Sequence, residues 1–207
     1  MLDQQTAPSR RGPGTRALAG ATELGDEELA IKARNDRDAF AVLYRRHVRA
    51  VYAYAFRATG SPHIAEEVTS ATFEKALRAM PRFEWRGGGF RAWLLRIAAS
   101  EIVSWYRRQS RDGRPRGQLA LRDLAGSDRS ATESSIDLAA DSAVIRASLA
   151  TLPPRYHEAI SLRFLAGLSS QEAARAMGCS AANFAVTLHR ALGALRQRIG
   201  GDLDGTF

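Results

Sequence analysis

Hydrophobic residues recur at helical spacing through the first half of the chain. Seven of them, three or four positions apart, mark one long amphipathic helix: Phe40, Leu43, Tyr44, Val48, Val51, Tyr52 and Ala55. A Thr-Gly-Ser-Pro turn at 59–62 ends that helix, and a second helix is predicted over 64–80, before Pro81. After a glycine-rich stretch, Trp93, Leu94 and Ile97 predict a third helix that continues to Tyr106.

A second helical stretch follows after an interval without apolar periodicity. A Leu-Pro-Pro-Arg sequence at 152–155 opens a helix with Phe164 on its apolar face, and Gly167 ends it. Ser169 and Glu172 form a capping box that starts a short helix, and Gly178 stops that helix. The last helix has an apolar stripe of Phe184, Leu188, Ala191, Leu192, Leu195 and Ile199. A short helix, a glycine turn and a longer helix are typical of a helix-turn-helix.

These patterns predict an all-α protein with two small helical domains joined by a flexible linker, the second containing a helix-turn-helix. We expect a disordered tail over 1–24 and a first helical domain over 25–111. The linker is expected over 112–141, the helix-turn-helix domain over 142–200, and a short tail over 201–207.

Charge is distributed unevenly along the chain. The formal net charge is +8, and residues 40–111 alone contain 13 Lys and Arg against 5 Asp and Glu. Such a concentration suits a polyanion, although a merely solvated basic face stays open on charge alone. The single cysteine, Cys179, is typical of a reducing compartment, and no apolar run approaches the roughly 18 residues of a membrane span. We therefore expect a cytoplasmic protein without membrane insertion.

Two sets of residues are candidates for nucleic-acid binding. The second helix of a helix-turn-helix reads bases in the major groove, so its outward residues and the start of the preceding helix are candidates for duplex DNA: Asn183, Thr187, His189, Arg190, Ser169 and Gln171. The glycine-rich loop between the second and third helices is basic and aromatic, as suits stacked single-stranded bases. Its candidates are Trp85, Arg86, Phe90, Arg91 and Arg96, whereas Trp93 is expected in the core.

Catalytic and metal chemistry find little support in the sequence. Glu66 and Glu67 are adjacent, so on a helix their carboxylates diverge and do not form a paired site. The four histidines and Cys179 lack metal-ligand spacing, and no glycine motif for phosphate is present. We expect no enzymatic activity, no metal and no cofactor.

Four stretches resemble the extracytoplasmic-function group of bacterial sigma factors. They are Leu-Tyr-Arg-Arg-His at 43–47, Ala-Glu-Glu-Val through Phe at 65–73, Phe-Arg-Ala-Trp-Leu-Leu-Arg-Ile-Ala at 90–98, and Leu-Pro-Pro-Arg through Leu-His-Arg-Ala at 152–191. Their order and separation match as well, over about 26–199. The third string followed by the fourth is far more specific than a lone helix-turn-helix.

The resemblance implies a promoter-specificity subunit that binds core RNA polymerase and promoter DNA. The first helical domain (25–111, the first block) would dock on the β′ clamp helices and capture the melted minus-ten strand. Its docking residues would be Glu66, Glu67, Ser70, Phe73 and Leu77. The helix-turn-helix domain (142–200, the second block) would read the minus-thirty-five duplex beside the β flap. An anti-sigma factor is a further candidate partner.

The sequence departs from the family pattern at two of these surfaces. Ser70-Ala71 stand where Gln-Asp or Gln-Glu is common on the docking helix, and the recognition helix lacks two basic residues around Ala185. The resemblance thus implies weaker ordinary contacts there. An autonomous helix-turn-helix regulator is the alternative, but it leaves the basic aromatic loop unexplained, and a nuclease ranks third.

Overall fold

The computed structural model describes residues 24–85, 89–111 and 133–203, and all regular structure in these ranges is helical. The helices, in chain order, are α1 (Asp26–Ala33), α2 (Arg37–Thr59), α3 (Pro62–Ala79), α4 (Gly89–Arg111), α5 (Glu133–Ala150), α6 (Pro154–Ile160), α7 (Ser170–Ala176) and α8 (Ala181–Leu203). A 3-10 turn (Met80–Arg82) follows α3, and a π-helical turn (Ser161–Leu165) continues α6. The all-α prediction is confirmed, and no described helix is long and apolar enough to cross a membrane.

Local sequence fixes the ends of the first-block helices. The Asp36 carboxylate accepts a hydrogen bond from the Asp38 backbone N–H at 2.9 Å and so caps α2. Gly60, at φ 72°, ends α2 in the left-handed conformation that glycine adopts without strain. Ser61 then caps α3, with Pro62 in its first turn. The block therefore folds as a helical hairpin of α2 and α3, covered by α1 and α4.

The helix-turn-helix of the second block is formed by α7 and α8. Ser169 and Glu172 make the predicted capping box, and Gly178 takes φ 65° in the turn. Phe184 and Ala191 are completely buried, as the apolar stripe requires, but Leu192 is 40% exposed. Leu192 thus lies at the edge of the stripe, and its prediction as a core residue was wrong.

A π-helical turn changes the side chain presented after α6. The Ala166 N–H donates to the Ser161 carbonyl at 2.8 Å, five residues back, which inserts one extra residue in the turn. The α-helical period that predicts Phe164 on the apolar face therefore fails, and Phe164 is 55% exposed. Leu162 is buried in its place.

Two helices extend across the domain boundaries predicted from the sequence. Helix α5 begins at Glu133, inside the expected linker, and α8 reaches Leu203, inside the expected tail. Residues 112–132, like 1–23 and 204–207, lie outside the described residues. The linker and tail predictions therefore remain predictions for those segments.

The two blocks share one buried apolar cluster. Leu162, Leu168 and Phe184 from the second block belong to the same cluster as Leu43 and Phe90 from the first. A smaller cluster, formed by Leu149, Leu152, Ile160 and Ala191, lies within the second block. The second block is thus packed against the first and draws part of its core from it.

Candidate nucleic-acid and protein interfaces

An aromatic cluster is formed where the 3-10 turn meets the start of α4. The Phe83 and Trp93 ring centroids lie 4.7 Å apart in edge-to-face geometry. The Phe83 and Trp85 ring centroids lie 6.4 Å apart in the same geometry. Phe83 is buried, whereas Trp85 and Trp93 are only half-buried. The two tryptophans therefore keep ring surface available on a rigid base of packed phenylalanine.

A basic cavity of about 460 Å³ opens beside this cluster. Trp85 and Trp93 form its aromatic wall, and four arginines surround it: Arg78, Arg82, Arg96 and Arg175. Arg78 pairs with Glu74 at 2.9 Å, and Arg96 lies 3.4 Å from Glu158. A cavity that combines indole surface with several guanidinium groups suits a nucleic-acid strand, which offers bases for stacking and phosphates for charge.

The structure places the five single-strand candidates in different environments. Trp85 and Arg96 line the basic cavity, as does Trp93, which was expected in the core. Arg91 is exposed and donates to the Ala166 carbonyl at 3.1 Å, while Arg86 lies outside the described residues.

The prediction that Phe90 binds single-stranded DNA was wrong. Its side chain is completely buried against His47, Phe83 and Trp93, because its position in the first turn of α4 faces the core. Phe90 supports the aromatic cluster from beneath and does not present a ring for a base.

An apolar groove runs between α2 and α3 on another face of the first block. Its volume is about 640 Å³. Four of the docking candidates line it: Glu66, Ser70, Phe73 and Leu77. The fifth, Glu67, does not, and its carboxylate lies 3.6 Å from the Arg108 guanidinium. Five residues of α2 also line the groove and were not among the predicted docking residues: Phe40, Tyr44, Val48, Arg49 and Tyr52.

Exposure of large apolar side chains distinguishes this groove from the core. Tyr44 and Leu77 are each 43% exposed, although Tyr44 packs edge-to-face on Phe73 at 4.7 Å. The sequence contains an indication of this exposed surface, because α2 has more apolar positions than one buried helix face can hold. Exposed apolar surface with a polar rim is typical of a protein-interaction site.

The first half of α8 presents a polar face to solvent. Asn183, His189 and Arg190 are exposed, as predicted for the recognition helix of a helix-turn-helix. Thr187 is half-buried, and its hydroxyl donates to the Asn183 carbonyl at 2.8 Å. Thr187 therefore offers its methyl group and an oxygen lone pair, not a free donor.

Ser169 and Gln171 differ in what they can offer at the start of α7. The Ser169 hydroxyl donates to the Glu172 carboxylate at 2.7 Å and accepts from the Glu172 N–H at 3.2 Å. The hydroxyl and the backbone N–H of Ser169 both donate to the Glu172 carboxylate and lower its pKa. Ser169 is thus engaged as a helix cap, whereas Gln171 is exposed.

A buried polar cluster lies where α2, α4 and α6 meet. Burial lowers the pKa of His157 to about 4 and raises that of Tyr106 to about 12, and burial also raises the pKa of Tyr54. The Tyr106 hydroxyl donates to the Ala58 carbonyl at 2.7 Å, and its ring centroid lies 6.1 Å from that of His157. All three groups are therefore neutral near pH 7, which fits packing between the blocks and not proton transfer.

Nowhere in 24–85, 89–111 or 133–203 do three His, Cys, Asp or Glu side chains come together in a way that could hold an ion. Cys179 is half-buried in the helix-turn-helix turn and packs against the shared cluster.

A helix-turn-helix and a basic aromatic cavity are together typical of a DNA-binding protein, and an apolar groove lies on another face of the same chain. Residues 43–112 match the profile of sigma-70 region 2, and residues 142–195 match that of sigma-70 region 4. The chain belongs to the sigma-70 family, in its extracytoplasmic-function group.

Relatives agree with this assignment. The chain is 32% identical over 179 residues to the sigma factor BldN of Streptomyces coelicolor, covering 84% of this chain and 66% of BldN. It is 30% identical over 159 residues to SigE of Mycolicibacterium smegmatis, covering 74% and 59%. The chain thus spans somewhat less than two thirds of the length of these relatives.

Among solved structures, CnrH in complex with the cytosolic domain of CnrY has a similar fold. The TM-score is 0.52 at 25% identity, and the match covers 88% of this chain and 99% of CnrH.

Proposed function

We propose that this protein is an alternative sigma factor, which binds core RNA polymerase and directs promoter recognition, promoter melting and transcription initiation. The observation that carries the proposal is that one chain of this family has three different surfaces. They are an apolar groove, a basic aromatic cavity and the exposed face of the recognition helix α8. Each of the three tasks needs a different chemistry, and each surface supplies one. No residue is proposed to have a catalytic role.

Core polymerase would occupy the groove between α2 and α3. Tyr44 and Leu77 would provide the apolar contact, with the buried Phe73 ring beneath Tyr44, and Glu66 and Ser70 would lie at the polar rim. This is the pattern of a protein interface, where a few large side chains supply most of the binding energy. With Glu67 directed toward Arg108 and Phe73 buried, the docking set centres on Tyr44 and Leu77, and the clamp helices of β′ are the proposed partner.

The melted minus-ten strand would enter the basic cavity. Trp85 and Trp93 would stack on exposed bases, and Arg82 and Arg96 would neutralise phosphates. Stacking of a base on an aromatic ring is worth about 1–3 kcal/mol, enough to hold an unpaired base out of the duplex.

The minus-thirty-five duplex would be read by α8, next to the β flap. Asn183 can pair with adenine, and Arg190 with guanine or a phosphate. The face carries few positive charges, because Ala185 and Val186 stand between these residues. We therefore propose that α8 binds DNA weakly alone and gains affinity from the polymerase-bound first block.

Location and further partners follow from the same proposal. A sigma factor works beside polymerase in the cytoplasm. CnrH was solved with a bound protein domain, which supports an anti-sigma factor as a regulatory partner of this chain as well.

Binding to promoter duplexes with and without core enzyme tests the proposal. We expect tight, sequence-specific binding only in the presence of core polymerase. If the isolated protein binds one duplex site at the nanomolar level typical of specific repressors, the autonomous regulator is the correct function.

A further inference from the structure

The most outward position near the start of the recognition helix α8 is occupied by an apolar residue. Val186 is 51% exposed, and it follows two residues after Phe184, whose side chain is completely buried. Two residues correspond to a rotation of about 200° around a helix, so the Val186 side chain points away from the core that contains Phe184. Val186 therefore lies in the middle of the face that α8 presents to solvent.

Two exposed polar residues flank Val186 on this face. Asn183 lies three residues before it and Arg190 four residues after it, a spacing that makes side chains neighbours along one face of a helix. The Asn183 N–H donates to the Ser180 hydroxyl at 3.2 Å, so the helix begins directly after Ser180 and Val186 lies in its second turn. In a helix-turn-helix, residues near this end of the recognition helix contact base edges. A helix that brings Asn183 and Arg190 into the major groove therefore brings Val186 between them.

The side chains at 185–187 offer methyl groups to DNA in place of hydrogen-bond donors. Ala185 and Val186 are apolar, and the Thr187 hydroxyl donates to the Asn183 carbonyl at 2.8 Å. Thymine presents a C5-methyl group in the major groove, whereas the other three bases present only polar groups at their edges. An apolar side chain leaves such polar groups without a partner. Thymine is therefore the base that suits this part of α8.

We propose that Val186 packs against the C5-methyl group of a thymine in the minus-thirty-five element and so determines part of the promoter specificity. The inference rests on the proposed function, because α8 must read duplex DNA for Val186 to meet a base. The contact removes apolar surface of both partners from water. Burial of one methyl group predicts a preference of about fourfold for thymine over uracil, which lacks that group.

Replacement of thymine by uracil tests this contact, because it removes the methyl group and keeps the base pair with adenine. The probe is the upstream duplex that the holoenzyme selects from a randomised library, with deoxyuridine placed at one thymine position at a time. Fluorescence anisotropy measures the affinity of the holoenzyme for each duplex. We expect a loss of about three- to fivefold at the thymine that Val186 contacts.

Val186→Ala identifies that position. The variant should bind the unmodified duplex about three- to fivefold more weakly, and it should lose no further affinity when that thymine becomes uracil. Val144→Ala is the matched control, since it makes the same substitution at a 42% exposed valine on α5, and it should keep the affinity and the uracil penalty of wild type. At the same position, wild type should prefer 5-methylcytosine to cytosine, and Val186→Ala should not.

Three results would overturn the inference. A uracil penalty as large in Val186→Ala as in wild type would assign the methyl contact to another side chain. The absence of a penalty at every thymine, or a selected element without thymine, would show that Val186 faces no methyl group. In each case the holoenzyme still selects an upstream sequence. Failure of the proposed function is distinct, because the holoenzyme would then select none.

Discussion

The two blocks differ in how they build their cores and in what they expose. The first block buries large side chains, among them Tyr54, Phe90 and Leu43, and keeps a basic surface with 13 Lys and Arg against 5 Asp and Glu over 40–111. In the described part of the second block, Phe184 is the only Phe, Tyr or Trp side chain that is buried, and residues 151–200 carry 6 Lys and Arg against 2 Asp and Glu. A block that buries fewer large side chains gains less from the hydrophobic effect and depends more on its neighbour.

The contrast suggests a division of labour. The first block has enough core to present two broad surfaces, the groove and the cavity, at the same time. The second block presents one lightly charged helix and contributes part of its apolar surface to the shared cluster. Promoter selection then depends on both blocks, with most of the affinity expected from the first.

The largest effect is expected where the blocks share their core. Leu162→Ala should reduce the free energy of unfolding by about 2–5 kcal/mol, because the side chain is completely buried in the cluster that spans both blocks. Leu192→Ala, at a 40% exposed position, should cost less than about 1 kcal/mol. Urea unfolding of both variants checks this, and similar small losses for the two would mean that the blocks fold independently.

Acid should loosen the same junction. The pKa of His157 is about 4 in the folded protein, below its ordinary value of 6.5, so the unfolded or opened form binds the proton more readily. Stability from burying the neutral ring is complete above pH 6.5 and is lost as the pH falls toward 4. Thermal unfolding between pH 7.5 and 4.5 should show a smaller pH-dependent loss in His157→Gln than in wild type. Equal losses would assign the acid sensitivity to other groups.

The groove separates polymerase binding from DNA binding. Leu77→Glu should weaken binding to core polymerase by about 10- to 100-fold, because it places a charge in an apolar contact. Ile31→Glu makes the same change at a 57% exposed position on α1, outside the groove, and should bind normally. Surface plasmon resonance with immobilised core enzyme measures both, and equal affinities would remove the groove from the docking surface.

Strand capture should depend on the indole of Trp85. Trp85→Ala should reduce open-complex formation by about 5- to 150-fold while closed-complex binding changes little, and Arg86→Ala is predicted to act in the same direction. Permanganate reactivity of melted thymines reports the effect. Phe164→Ala, which removes an exposed ring outside the cavity, is the control. Unchanged melting in the Trp85 and Arg86 variants would leave the loop with a structural role only.

Substitutions in the recognition helix α8 are expected to have the smallest effect, on the binding of holoenzyme to DNA. Ala185→Lys adds a positive charge to an exposed position near the start of α8 and should steepen the salt dependence of holoenzyme binding to upstream duplex by about one counterion. Gln197→Lys adds the same charge about 18 Å further along the helix and should not. Arg190→Ala should weaken binding, at one base position or uniformly. If neither Ala185→Lys nor Arg190→Ala changes affinity, another face of α8 meets the DNA.

Predictions from sequence succeeded where the signal is local. The stop at Gly60, the capping box at Ser169 and the turn at Gly178 depend on residues within three or four positions, and each forms as expected. The helical stripes also identified most of the core. These features are set by neighbours along the chain, so one sequence is enough to find them.

Tertiary packing decided the cases that failed. Phe90 points inward because three aromatic neighbours enclose it, and Phe164 points outward because a π-helical turn shifts the register. The link from Arg57 to Leu165 joins positions 108 residues apart. No period or motif encodes that distance, and for the same reason the sequence did not show that the second block packs against the first.

Transcription by purified core polymerase on a library of genomic fragments is the decisive test of the assignment as a sigma factor. We expect transcripts from a defined set of start sites only when this protein is added, and we expect their loss with Leu77→Glu but not with Ile31→Glu. An unchanged transcript pattern on addition of the protein, together with tight binding of the isolated protein to one duplex site, would contradict the assignment as a sigma factor.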